Sequence, residues 1–243
     1  MLSIMVAIVA SYLITGASRG IGRALAERLI AEGHQVYAAA RSAGSVADLA
    51  LAGVVELDLG VPSGIEAALR PLLGSLSALD GLVHCAGIVQ PGSLATAGPA
   101  EFTGQFTVNV VAPAEMTRLL LPALRVAAGT VVLINSGSGL NARSPLATYG
   151  ASKFALRGYA EALRQEEPGV RVCSVFPGRT ATEMQQAVRA AEAGDYDEAA
   201  YLKPATVAGV IASVLSLPAD ATVTDVTVRP ASQPGPSSPD AHR

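Results

Sequence analysis

Tryptophan is absent, and aromatic residues make up only 4% of the 243-residue chain. Charge is sparse as well: 15% of the residues are Asp, Glu, Lys or Arg, and the formal net charge is −3. Without a basic excess there is no electrostatic footprint for nucleic acid or for an anionic membrane. The two cysteines, Cys85 and Cys173, stand in separate apolar runs, and the three histidines, His34, His84 and His242, are scattered. Neither a zinc site nor a disulfide framework can be assembled from that spacing, so no metal is expected. Two reduced, buried thiols in a cytoplasmic protein are the expectation. What is abundant is apolar: half of the residues are hydrophobic, which excludes disorder over most of the chain and points to a core of Ala, Val, Leu and Ile. The length suffices for one large domain with a well-buried interior.

Residues 1–14 are almost wholly apolar, yet no Lys or Arg precedes them. The stretch is too short to span a bilayer, and no small-residue cleavage site is followed by a mature start. It reads as a first core strand preceded by an apolar extension, residues 1–10, without stable membrane insertion.

Beyond it, short apolar runs alternate with longer helical patterns. The runs are Tyr12–Thr15, Gln35–Ala40, Val54–Leu57, Gly81–His84, Thr130–Ile134, Val170–Phe176 and Thr222–Arg229. Most lack polar alternation, as strands covered by helices on both faces do. The pattern predicts an α/β fold, a Rossmann-like doubly wound sheet of about seven parallel strands, forming a single domain over residues 1–230. Ile21, Leu25 and Leu29 recur every fourth residue before Gly33, marking a first helix and its C-terminal cap. The polar, Ala-rich segment 179–204 is expected to act as a lid over a site. From residue 231 to 243 the composition turns to Pro, Ser, Gly and Asp, and a disordered tail is expected.

Thr15-Gly16-Ala17-Ser18-Arg19-Gly20-Ile21-Gly22 joins the first strand to the first helix. Glycines there let the backbone turn tightly and approach a pyrophosphate, whose charge suits a helix N-terminus. The spacing Gly-x-x-x-Gly-x-Gly differs from the commoner Gly-x-Gly-x-x-Gly, so the position in the fold carries as much weight as the motif. The second strand ends at Ala40, which cannot offer a carboxylate to ribose hydroxyls, and is followed by Arg41. Arg41 and Arg19 can offer guanidinium groups to a 2′-phosphate. The plainer alternative is two solvated surface arginines. Asp58, after the third strand, is placed to accept from the adenine amine.

Tyr149 and Lys153 are four residues apart at the start of a predicted helix, which puts both on one face. A phenol needs a nearby cation to act as acid or base near neutrality, and Lys153 can be that cation. Such a pair also occurs by chance on helix surfaces. Ser136 follows the fifth strand at its carboxyl end, where ligands border the crevice of doubly wound sheets. Ser138 competes with it, as does an ordinary Gly/Ser turn. Asn109 lies within a long helical pattern, and Pro113, four residues on, has no N–H to give to its carbonyl. A kink that frees this carbonyl for a water is expected there, unless the kink serves packing only.

Together these residues resemble the short-chain dehydrogenase/reductase family in its single-domain branch. The matching features are Thr15-Gly16-x-x-x-Gly20-x-Gly22, Asp58, Ala86-Gly87, Asn109, Ser136, Tyr149-x-x-x-Lys153 and Pro177-Gly178-x-x-x-Thr182. The resemblance implies an NADPH-dependent oxidoreductase acting on a carbonyl or alcohol carbon. Tyr149 would be the general acid or base, and Lys153 would hold the nicotinamide ribose and lower the Tyr149 pKa. Ser136, thirteen residues before the tyrosine, would orient the carbonyl oxygen, which favours it over Ser138. Asn109 would anchor a water in the proton relay. Gly16, Ser18, Gly20, Ile21, Gly22, Asp58, Ala86 and Gly87 would line the cofactor, and Pro177, Gly178 and Thr182 would contact the nicotinamide carboxamide. Arg19 and Arg41 occupy the positions that mark NADP-preferring members.

His84-Cys85 stands where the family usually has Asn-Asn, which puts local stability and cofactor affinity in question more than chemistry. A satisfied core histidine is the expectation for His84. Val89, Leu140 and Met184 are expected to wall an apolar or amphipathic substrate. Homodimers or homotetramers, paired through helices beginning near Ala100 and Tyr149, are a further implication. The competing class is an NADP-binding sensor without turnover, against which the intact Ser136, Tyr149 and Lys153 speak. A sugar-nucleotide epimerase would carry a longer substrate domain after Pro204.

Overall fold

Seven short runs rich in Val, Leu, Ile and Ala form one sheet in the computed structural model, which describes residues 9–231. They are β1 (Ser11–Thr15), β2 (Gln35–Ala40), β3 (Gly53–Glu56), β4 (Gly81–His84), β5 (Thr130–Ile134), β6 (Arg171–Pro177) and β7 (Asp225–Val228). Every neighbouring pair is parallel, in the order β3-β2-β1-β4-β5-β6-β7. The last strand is shorter than the run from Thr222 to Arg229, because pairing with β6 begins only at Asp225, opposite Ser174. The helices are α1 (Gly20–Ala31), α2 (Ile65–Ser75), α3 (Pro99–Phe106), α4 (Ala112–Ala127), α5 (Ala147–Glu166), α6 (Glu183–Ala191) and α7 (Pro204–Leu215).

Both faces of the sheet are covered, which explains why the strands are apolar without alternation. Alternate side chains nevertheless go to different layers. Tyr12, Ile14, Val83, Val132 and Val175 meet Leu25 and Leu29 of α1 and Ile211 of α7. Leu13, Leu82, Val131, Leu133 and Val172 meet Leu69 of α2, Leu120 of α4 and Leu156 of α5. A one-residue slip in any central strand would exchange two complete packing sets, so the register is strongly specified.

The topology reverses between β1 and β4, which lie side by side while the chain leaves in opposite directions from them. In such sheets the ligand crevice opens outside the carboxyl ends of the strands at this point. Between β6 and α7 the chain makes an excursion whose base is closed by two backbone bonds. Ala181 N–H donates to the Leu202 carbonyl at 2.8 Å, and Leu202 N–H to the Arg179 carbonyl at 2.9 Å. Helix α6 lies within this excursion, in the segment expected to form a lid. Most of the apolar extension and of the expected tail, residues 1–8 and 232–243, lies outside the described residues. Among the described residues no helix is long and apolar enough to cross a membrane.

Candidate active site

The loop between β1 and α1 needs its glycines for two reasons. Gly16 and Gly20 adopt φ of 71° and 58°, the left-handed region that side chains disfavour. A Cβ on Gly16 would also stand 2.8 Å from the Ala86 nitrogen, and one on Gly22 would stand 2.4 Å from the Gly16 carbonyl oxygen. The loop therefore packs directly on the chain leaving β4. Thr15 secures this contact, its hydroxyl accepting from the Ala86 N–H at 3.0 Å. No side chain caps the first turn of α1, so its N–H groups remain available to a ligand.

A cleft of about 1430 Å³ runs from this loop along the strand ends to α6. Gly16, Ser18, Arg19, Gly20, Ile21, Gly22, Arg41, Asp58, Ala86, Gly87, Pro177, Gly178 and Thr182 all border it. The Arg41 side chain is exposed and makes no ion pair among the described residues. Asp58 is tied to its own turn, accepting from the Gly60 N–H at 2.8 Å. Arg19 pairs with Glu183, the first residue of α6.

Ser136, Tyr149 and Lys153 share the same cleft. Helix α5 begins two residues before the tyrosine, so Tyr149 and Lys153 stand one turn apart, with the ammonium 5.8 Å from the centre of the phenol ring. Lys153 Nζ donates to the Ile134 carbonyl at 2.8 Å. Burial lowers its pKa to about 8 from the ordinary 10.5. Burial also raises the Tyr149 phenol above its ordinary value, with a hydrogen bond to Ser136 working against it. Burial thus acts in the direction opposite to the lowering that the family resemblance implies for Tyr149.

Asn109 lies not in a regular α-helix but in a π-helical segment, Thr107–Val111, between α3 and α4. Pro113 supplies no N–H to the preceding turn, and the ladder widens there instead of breaking. The Asn109 side chain is fully engaged. Its Oδ1 accepts from the Ile88 N–H at 2.9 Å, and its Nδ2 donates to the Ile88 carbonyl and to Ser152 Oγ, both at 3.0 Å. A Cβ on Gly87 would lie 3.2 Å from Asn109 Oδ1 and 3.7 Å from Lys153 Nζ, so asparagine, glycine and lysine converge at one point.

Two supporting residues escape notice in the sequence. Asn135, directly after β5, accepts from the Ser136 N–H at 2.8 Å and donates to the Lys153 carbonyl at 3.1 Å, joining two functional positions. Ser152 donates to the Tyr149 carbonyl at 2.8 Å while accepting from Asn109. A buried polar residue after an apolar strand was the available signal for Asn135. The substrate wall also differs from expectation. Val89 and Met184 border the cleft but Leu140 does not. Leu140 closes the tight turn Gly137–Gly139, whereas Leu146, immediately before α5, is carried against Tyr149 with Val188 and Val89.

His84 is buried and pairs through Nε2 with Thr117 Oγ1 at 3.0 Å. Burial lowers its pKa to about 3, so the ring is neutral and structural. Cys85 borders the cleft, its thiol pushed up to about 12 by burial.

The family model described as short chain dehydrogenase matches residues 10–193. A human protein named dehydrogenase/reductase SDR family member 11 is 30% identical over 244 aligned residues, covering 91% of this chain and 94% of its own. An alcohol dehydrogenase from the archaeon Thermococcus sibiricus, solved with 5-hydroxy-NADP, superposes with a TM-score of 0.84 at 25% identity, over 93% of this chain and 99% of its own. A 3-ketoacyl-(acyl-carrier-protein) reductase from Brucella melitensis, solved with NADH, gives 0.80 at 25% identity, over 91% and 97%. The seven-stranded parallel sheet agrees with these matches, and the chain belongs to the short-chain dehydrogenase/reductase family of oxidoreductases.

Proposed function

We propose that the protein is an NADPH-dependent oxidoreductase that interconverts a carbonyl and an alcohol on a small apolar or amphipathic substrate. The observation that carries this reading is the convergence of Ser136, Tyr149 and Lys153 at the carboxyl ends of the central strands, in the cleft that begins at the glycine loop. The cleft fits a dinucleotide on its own geometry. Two glycines in it have no room for a Cβ, and the first turn of α1 is uncapped. When bound, the nicotinamide supplies or accepts the hydride.

The chain's own residues do the rest. Ser136 donates a hydrogen bond to the substrate oxygen, and Tyr149 gives that oxygen its proton in reduction or removes it in oxidation. Lys153 in its charged form holds the ribose hydroxyls and brings a positive charge to the phenol, opposing the effect of burial. Asn109 and Asn135 keep Ile88, Ser136 and α5 in register, so the donors stay aligned as charge develops. Asn109 also stands where the family's proton relay runs. Leu146, Val188 and Val89 present an apolar surface beside Tyr149, and segment 179–204 acts as the lid. Arg41, and Arg19 when released from Glu183, read the 2′-phosphate, while Ala40 offers no carboxylate to an unphosphorylated ribose. Exposed Val111 and Phe154, at the head of α4 and on α5, support pairing of two copies through these helices. The reduced thiols Cys85 and Cys173 accord with a cytoplasmic setting.

Loss of NADPH absorbance with a panel of ketones and aldehydes tests the reading. Turnover of at least one apolar carbonyl is expected. Tight NADPH binding with no consumption across the panel would favour the sensor instead.

A further inference from the structure

Helix α6 is held at its two ends by different means. Its C-terminal end is fixed within the lid, where Glu192 takes Arg189 at 2.6 Å and Arg179 at 3.0 Å. Its N-terminal end is held across the cleft. Glu183 pairs with Arg19 of the glycine loop, and Thr182 Cγ2 lies 3.3 Å from where a Cβ on Gly20 would stand. Among the described residues, Glu183 has no other ion-pair partner. Residues 164 positions apart are thus joined directly over the mouth of the cofactor cleft.

We propose that Glu183 is a cofactor-specificity residue: it holds Arg19 on the lid until the 2′-phosphate of NADPH competes for the same guanidinium. The proposal rests on the assignment of Arg19 and Arg41 to that phosphate. The contact uses Nη1 of the Arg19 guanidinium, and it holds that positive charge at α6 beside a carboxylate that offsets it, so its attraction for a phosphate at Arg41 is weakened while the pair is closed. A dianionic phosphate beside Arg41 can draw it away, whereas the 2′-hydroxyl of NADH cannot. NADPH binding therefore breaks the link between Arg19 and α6, and NADH binding leaves it closed. Both partners are about two-thirds exposed, which limits the effect to that of a surface ion pair.

The test is a double-mutant cycle on dissociation constants, measured by cofactor fluorescence at low salt for the parent, Glu183→Gln, Arg19→Ala and the double variant. Glu183→Gln should tighten NADPH binding by roughly 2- to 5-fold, the range of an exposed ion pair. NADH should be unaffected. Arg19→Ala should weaken NADPH alone, and adding Glu183→Gln to it should change nothing further. Weaker or unchanged NADPH binding in Glu183→Gln would overturn the proposal, as would equal tightening with and without Arg19. Equal weakening of both cofactors by Arg19→Ala and by Arg41→Ala would instead remove the phosphate assignment beneath it.

Discussion

Lys153 shows how a single buried group couples function to pH. In the proposed function its ammonium holds the cofactor, yet burial lowers its pKa to about 8. The folded protein therefore carries the charge below pH 8 and loses it above, while the unfolded chain keeps it to the ordinary 10.5. Two consequences have opposite signs. Cofactor affinity should fall as pH rises through about 8, and Lys153→Met should remove this dependence in a fluorescence titration. Stability should gain from the same titration, since between these values the unfolded chain binds more protons. Lys153→Met should thus be more stable than the parent at neutral pH, by on the order of 3 kcal/mol at most, and its advantage should shrink towards pH 10.5 in urea melts. Arg41 gives a second prediction at this scale. If Arg41 reads the 2′-phosphate as proposed, Arg41→Ala removes one charge-assisted contact worth roughly 1.5–3 kcal/mol, so NADPH should bind tens-fold more weakly with NADH nearly untouched.

At the scale of elements, the site is assembled from segment ends. Gly16, Ala86, Ser136 and Gly178 each lie just past a strand, and Tyr149 and Lys153 lie in the first two turns of α5. The β1–α1 loop and the end of β4 are packed without a spare atom between them. Gly22→Ala would push a methyl group to 2.4 Å from the Gly16 carbonyl, which is backbone and cannot yield as a side chain would. The variant should lose about 1–3 kcal/mol of stability, the usual cost of overpacking. Cofactor affinity should fall with it, both visible in thermal melts with and without NADPH. The π-helical segment is a second example. It turns Asn109 towards Ile88 and Ser152, where its side chain is satisfied on both sides.

For the molecule as a whole, the sheet was the most legible feature. Buried parallel strands read as continuous apolar runs, and all seven appear within a few residues of their expected bounds. That Tyr149, Lys153 and Ser136 would meet in one cleft was legible because chemistry, spacing and family resemblance agree on them. Residues that act through folding back were not. Asn135 is one polar residue after a strand until Lys153 arrives above it, and Leu140 and Leu146 are equivalent leucines until the turn at Gly137–Gly139 separates them. The contact between Arg19 and Glu183 has no local signature, since it joins residues 164 positions apart.

The central claim, proton transfer by Tyr149 in a carbonyl reductase, is tested most directly by Tyr149→Phe. NADPH affinity and turnover should be measured side by side on a carbonyl substrate found by screening. The ring is retained, so folding and NADPH affinity should match the parent, while turnover should fall by at least about 100-fold, the lower range for losing a positioned acid or base. A variant that turns over at close to the parent rate would contradict the mechanism.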